Sequence, residues 1–257
     1  MIDIHNHIIF GVDDGSRDLE ESLKMIDLYL EAGFTNIIAT SHYDRSRYIT
    51  DPKEIESKTL ILNDELKKRD IDFKIYPGQE IQIEADTLDK LKDGSVLSLN
   101  KSRYVLCELS FANKPSFLKD LIYKMQLEGY VPIIAHAERY PYVSDNINWL
   151  LEFIRMGALI QVNYSSIKSH YETTKELLNR NMVHFIATDA HQSEWRNPYI
   201  IDYKNEIIDI VGEEKFDKLS RVNPKLVIED KYIDSDYEAI VKEPKKEKRS
   251  FLRFWRR

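Results

Sequence analysis

The sequence has 257 residues, 42% apolar and 11% aromatic, enough for one large α/β domain or two small ones with a real core. Its one cysteine, Cys107, excludes an internal disulfide; no apolar h-region precedes His5, and no apolar run approaches the roughly 18 residues of a membrane helix, so the reading is a cytoplasmic protein. The net charge of −7 divides into a basic tail over 242–257, where eight lysines and arginines face only Glu243 and Glu247, and an acidic body at −13, which argues against non-specific nucleic-acid binding and for the gathering of cations.

Residues 1–5 read as a strand. Leu19, Leu23, Ile26 and Leu30 recur at helical spacing behind Ser16 and Asp18 as N-cap candidates, and Gly33 stops that helix. A second strand is predicted over 36–40, ending at His42, with a helix starting near Asp51 and Pro52. A third strand covers 73–76, with Gly78 and Glu80 behind it, and a fourth covers 104–107, followed by Glu108. Leu118, Leu121, Ile122 and Met125 mark a helix before the fifth strand, 131–135, which ends at His136. Ile147, Leu150, Leu151 and Ile154 mark another before the sixth strand, 159–162, with Asn163 behind it. A helix near 171–181 precedes the seventh strand, 184–188, which ends in Asp189 and His191. Residues 197–230 are expected to add one or two closing helices.

These intervals suit βα units of about 30 residues, and alternating βα units with buried strands imply a parallel sheet wrapped by helices. Seven units suggest a closed or nearly closed barrel with its site at the C-terminal strand ends; a doubly wound open sheet, with ligands at one switch point, is the alternative. The expected organisation is one barrel domain over 1–242 and a basic tail over 243–257.

The strand ends carry the chemistry. His5 and His7, two apart, would share one strand face, and Asp14 follows a short loop. With His42, Glu80, Glu108, His136, Asp189 and His191 they make five imidazoles and four carboxylates directed into one cup, an arrangement that needs cations. Nine ligands exceed one tetrahedral or octahedral site, so two or three metals are expected. Imidazole with carboxylate and no thiolate suits Mn²⁺, Fe²⁺ or Zn²⁺ above Ca²⁺ or Mg²⁺, and Co²⁺ accepts the same set. Neighbouring ions of this kind do hydrolytic work, most often on a phosphoester, and such chemistry needs cationic clamps. Arg139, three residues past His136, and Arg196, five past His191, are the candidates.

Other chemistries lack their residues. Cys107 has no arginine six positions on, where Asn113 stands, so a thiol phosphatase loop is absent and Cys107 reads as a small buried residue. Neither a nucleotide P-loop nor a Gly-x-Ser-x-Gly elbow occurs. His170 and His184 read as structural.

Taken together, Asp3-Ile4-His5-Asn6-His7, Gly11-Val12-Asp13-Asp14-Gly15, Thr40-Ser41-His42, Gly78-Gln79-Glu80-Ile81, Ala135-His136-Ala137-Glu138-Arg139-Tyr140 and Thr188-Asp189-Ala190-His191 resemble the polymerase and histidinol phosphatase (PHP) superfamily. More narrowly they resemble its bacterial manganese-dependent protein-tyrosine phosphatases of the capsular and exopolysaccharide biosynthesis type, over roughly residues 1–225. The resemblance implies a distorted (β/α)7 TIM-like barrel and three Mn²⁺ sites. One would use His5, His7, Glu80 and Asp189, a second Glu80, Glu108 and His136, and a third Asp14, His42 and His191. It makes Arg139 and Arg196 the phosphate-positioning arginines. It implies direct attack by a bridging hydroxide, without a phosphoenzyme, on phosphotyrosine in a protein, usually the C-terminal tail of a bacterial tyrosine kinase that controls polysaccharide export. Ala137 stands where relatives often have proline, and Tyr43 where many have a second histidine. A small-molecule phosphatase such as a histidinol-phosphate phosphatase is the alternative enzyme, and a non-catalytic metal-binding interaction module the alternative class. The tail lies outside the resemblance; its mixed aromatics and cations suggest a weak contact with an anionic membrane surface.

Overall fold

The apolar runs form ten short strands in the computed structural model, which describes residues 1–235. They are β1 (Ile2–Asp3), β2 (Asn36–Ile38), β3 (Ser41–Asp44), β4 (Tyr48–Ile49), β5 (Lys74–Tyr76), β6 (Gln79–Gln82), β7 (Tyr104–Glu108), β8 (Val131–Ile134), β9 (Leu159–Asn163) and β10 (Phe185–Ala187). β1, β2 and β5 pair in parallel, as do β3, β6, β7, β8, β9 and β10 in that order, with β4 antiparallel on β3. The ring closes where Asn6 bridges Ala190 and where the His7 and Asp189 N–H groups donate across the seam, each at 2.8 Å, to the Ala190 and His5 carbonyls. With β2–β3 and β5–β6 counted as two broken staves, this is the expected distorted (β/α)7 barrel, and the open-sheet alternative falls.

The breaks depart from the predicted strands and have a steric cause. The second and third staves bend side by side, at residues 39–40 and 77–78. There Gly78 passes so close to its neighbours that a Cβ would meet the Ala39 carbonyl oxygen at 3.1 Å and Leu99 at 3.0 Å. Thr40 turns its N–H to the Asn6 carbonyl (2.8 Å), tying the bend to the first stave. β1 also stops at Asp3, short of the predicted residue 5. The Thr188 N–H donates to the Asp3 carboxylate (3.0 Å), so a side chain replaces a rung of the ladder.

Helices Leu19–Glu31, Pro52–Lys68, Leu118–Leu127, Trp149–Arg155, Tyr171–Asn179 and Ile201–Val211 surround the strands. Of the two cap candidates Asp18 is the cap, accepting the Glu21 N–H at 2.9 Å, and Asp51 caps the next helix by accepting from Lys53 N–H at 2.9 Å. The closing segment is Ile201–Val211 followed by a helical run over 213–228 that widens into a π-helical turn at Lys218–Val222. No helix among the described residues is long and apolar enough to cross a membrane.

Period-two alternation sets the interior. Ile4, Ile38, Leu106, Ile133, Leu159 and Phe185 fill the lower barrel, sealed by Val227 and Ile233. Two residues further along, the same inward columns turn polar: Leu106 leads to Glu108, Leu159 to Gln161 and Asn163, Phe185 through Ala187 to Asp189. The apolar floor therefore ends in a polar cup at the C-terminal strand ends. The expected domain end at 242, the basic tail and its membrane contact lie outside the described residues.

Candidate metal centre

All nine predicted ligands meet in that cup. His42 and Glu80 are direct register partners on β3 and β6, which places the His42 Nδ1 3.2 Å from the Glu80 Oε2. The same oxygen faces His5 Nε2 at 3.2 Å and His7 Nε2 at 3.4 Å. Both of these nitrogens lie 3.5 Å from Asp189 Oδ1. On the other side His136 Nε2 is 2.9 Å from Glu80 Oε1 and 3.6 Å from Glu108 Oε1. At the mouth His42 Nε2 and His191 Nε2 each stand 3.5 Å from Asp14 Oδ1. The three groupings that the resemblance implies are thus contiguous, with Glu80 at their junction, and His7 also falls within the cluster of Asp14, His42 and His191.

Hydrogen bonds on the far side of three of the five imidazoles, His5, His7 and His191, fix their tautomers. Gln161 Oε1 accepts the His136 backbone N–H (2.8 Å), so it can only be an acceptor for His5 Nδ1 at 3.0 Å. His7 Nδ1 donates to Asp13 Oδ2 at 2.9 Å, and His191 Nδ1 to the Asp189 carbonyl at 3.0 Å. Each of these three rings therefore turns its Nε2 lone pair inward. His5 Nε2, His7 Nε2, His191 Nε2 and Glu80 Oε2 are buried with no hydrogen-bond partner. Buried, orphaned acceptors converging on one point would be costly alone and are what a divalent ion requires; outer groups that orient ligating histidines are the usual support of such a site. The residues fit two or three divalent ions.

The charge balance agrees. Burial would raise the Glu80 carboxyl, but His5 and His42 outweigh it and hold it well below the usual carboxylate range. Glu108, buried beside Glu80, is pushed up to about 8 by desolvation and by that neighbouring charge. Asp189 is divided between two tasks. Its Oδ1 faces the imidazoles, while its Oδ2 accepts from Arg139 (2.8 Å) and Asn163 Nδ2 (2.9 Å) and forms an ion pair with Arg196 (2.7 Å). Both arginines line the cup, about a third exposed at 31% and 29%.

Backbone strain collects here. His136, Asp189 and Arg196 have φ of 31°, 53° and 52°, the left-handed region that side chains disfavour at a cost of order 1 kcal/mol or more each. At His136 this conformation starts the short turn Ala137–Arg139, which swings Arg139 back over the cup.

Several participants were not expected from the sequence: Asp13, Gln161, Asp3 and Tyr29. Asp3 and Tyr29 form a buried network with Thr188, whose Oγ1 lies 2.8 Å from the Tyr29 hydroxyl and donates to Asp3 Oδ2 at 2.6 Å. Gln161 left a signal, a polar residue at an inward position of a buried strand. His170 is not among the residues lining the cup but lines an adjoining cavity that shares Arg139, Asp189 and Arg196 with it, and His184 Nδ1 accepts the Ile160 N–H at 3.0 Å. Cys107 is buried, its thiol pushed up to about 12 by desolvation.

The family model for capsular polysaccharide synthesis, CpsB/CapC, matches residues 1–229. The chain belongs to this family. Among curated proteins it is 36% identical over 202 residues to the tyrosine-protein phosphatase YwqE of Bacillus subtilis, covering 77% of this chain and 80% of that one. It is 31% identical to the tyrosine-protein phosphatase CpsB of Streptococcus agalactiae, covering 91% of this chain and 100% of CpsB. Among solved structures, one from a study of YwqE of B. subtilis and CpsB of Streptococcus pneumoniae, described there as unique metal-dependent tyrosine phosphatases, superposes with a TM-score of 0.86 at 33% identity, covering 91% and 96% of the two chains. A histidinol phosphate phosphatase of Lactococcus lactis, at 17% identity and a TM-score of 0.56, shares the fold.

Proposed function

We propose that this member of the CpsB/CapC family hydrolyses phosphotyrosine in proteins with divalent metal ions, Mn²⁺ foremost, two or three per chain. The observation that carries the reading is the ring of inward, unpartnered imidazole nitrogens around Glu80 with two arginines at its edge. The relatives named above, metal-dependent tyrosine phosphatases among them, support it.

Bound ions would be held by His5, His7, Asp14, His42, Glu80, Glu108, His136, Asp189 and His191, and would supply Lewis acidity toward a phosphoryl group and an acidified water as nucleophile. The protein's own residues orient and exclude. Gln161, Asp13 and the Asp189 carbonyl lock the rings so that lone pairs face inward. Each arginine keeps donors beyond those given to Asp189, and their planar forks suit the equatorial oxygens of a phosphoryl group. Arg139 and Arg196 would thereby fix the phosphate and offset the charge that develops on it.

The substrate would be the C-terminal tail of a bacterial tyrosine kinase, met in the cytoplasm. We read residues 1–242 as one domain and 243–257 as a basic tail touching an anionic membrane face; unchanged vesicle binding after removal of 243–257 would end that part of the reading.

The test is turnover by the Mn²⁺-loaded protein of a phosphotyrosine peptide beside histidinol phosphate. Preference for the peptide by orders of magnitude is expected. Preference for the metabolite would make the protein a small-molecule phosphatase, and no turnover of either would leave a binding module.

A further inference from the structure

Two carbocyclic rings stand among the charged and polar residues that line the cup, a cavity of about 270 Å³. Phe111, in the loop after β7, keeps 39% of its surface exposed. Its ring stacks on His136, with centroids 5.7 Å apart and planes 23° apart, and the Arg139 guanidinium lies 5.3 Å from its centroid. Tyr48, on the β3–β4 hairpin, stacks in the same manner on His42, at 5.8 Å and 12°. The two rings rise from staves separated by that of β6, each lying on a histidine of the metal cluster, beside the arginines that would hold phosphate. Those contacts leave more than a third of the Phe111 surface bare in a polar cavity, where covering it with something apolar would be favourable.

We infer that Phe111 and Tyr48 form an aromatic cleft that receives the aryl ring of the substrate, making the site selective for aryl over alkyl phosphomonoesters. This rests on the phosphatase reading above and adds the basis of substrate choice. The ligand must carry its ring next to the phosphorus, bonded to it directly or through the ester oxygen, because the rings flank the cup where Arg139 and Arg196 reach a phosphoryl group. Offset or edge contacts with two rings, together with water release from Phe111, supply the affinity.

The experiment compares binding of phenylphosphonate and inorganic phosphate by calorimetry to the Mn²⁺-loaded full chain, with kinetics on a phosphotyrosine peptide. Phe111→Ala and Tyr48→Ala should each weaken phenylphosphonate by about ten-fold, while leaving phosphate within about two-fold. KM for the peptide should rise more than kcat falls. Phe111→Tyr and Tyr48→Phe should restore wild-type behaviour. Equal weakening of both ligands would mean that the rings only brace His136 and His42, and no change in either would mean that they do not touch substrate; either result overturns the inference. Because Phe111→Ala removes a ring packed 5.0 Å from Tyr140, Phe111→Leu serves as a second variant that keeps bulk without aromaticity, and it should still lose phenylphosphonate selectively. If the wild-type protein bound phenylphosphonate but did not hydrolyse the peptide, the phosphatase reading would fail while the cleft stood.

Discussion

Gly15 lies flush against His7: a Cβ at Gly15 would fall 2.1 Å from the His7 carbonyl oxygen and 2.4 Å from the His7 Cβ. The neighbouring Ser16 N–H donates to that carbonyl at 3.0 Å, so the loop carrying Asp13 and Asp14 is clamped to the stave carrying His5 and His7. Neither backbone can give way without moving a ligand. Gly15→Ala should therefore cost about 1–3 kcal/mol, the usual range for overpacking. It should lower Tm and weaken Mn²⁺ binding together, measured by thermal denaturation and metal titration. Wild-type values for both would show that the loop has slack.

Asp13 holds two candidate ligands at once through Oδ2, accepting His7 Nδ1–H at 2.9 Å and the His42 backbone N–H at 2.8 Å, while its Oδ1 accepts Gly15 N–H at 3.0 Å. Asp13→Asn keeps the shape but removes the charge that fixes the His7 tautomer. Mn²⁺ affinity should drop by roughly 10–100-fold, the usual effect of losing a group that orients a metal ligand. Turnover should recover in part at saturating Mn²⁺. A calorimetric titration of metal-free protein checks this, and unaltered affinity would rule out the orienting role.

Arg139→Ala and Arg196→Ala should each reduce kcat at least about ten-fold and up to roughly 10²–10³-fold, the range for deleting one donor to a transition-state oxyanion. The circular dichroism spectrum should be unchanged, because both side chains reach the cup from its rim. Steady-state kinetics on a phosphotyrosine peptide decide it; near-normal rates in both variants would place the phosphate clamp elsewhere.

Cys107 gives a negative control with a pH sign. Its thiol is pushed up to about 12 by burial, so below that pH it stays protonated, and the thiolate that alkylating agents need is missing at pH 8. Iodoacetamide at pH 8 should leave activity intact and label Cys107 only after unfolding, as mass spectrometry would report. Rapid labelling of the native protein with loss of activity would revive a thiol mechanism.

That nine residues would meet in one cup was legible because all but Asp14 lie at strand ends, where His, Asp or Glu recurring at the βα interval carries information that no single His-x-His pair holds. The closed barrel was legible from the same rhythm. The bends at residues 39–40 and 77–78 were not read, although Pro77-Gly78 punctuates one of them, because the bend depends on how closely two staves approach in space. Asp13 and Asp14 are adjacent acids, and only the loop conformation decides that Asp14 faces the cup while Asp13 turns back to His7. Arg139 and Arg196 were placed at the rim by spacing alone. Their shared grip on Asp189 Oδ2 depends on left-handed backbone at His136, Asp189 and Arg196, which residue types rarely signal. Phe111 lay in a loop with no periodicity to single it out.

The central claim is that this cup hydrolyses phosphotyrosine through metals held by its nine ligands, and titrating metal-free protein with Mn²⁺ while following release of phosphate from a phosphotyrosine peptide tests it most directly. The account predicts background activity in the metal-free protein, a rise that saturates at two to three Mn²⁺ bound per chain, and loss again on chelation. Full activity in the metal-free protein, or activity that ignores Mn²⁺ occupancy, would contradict it.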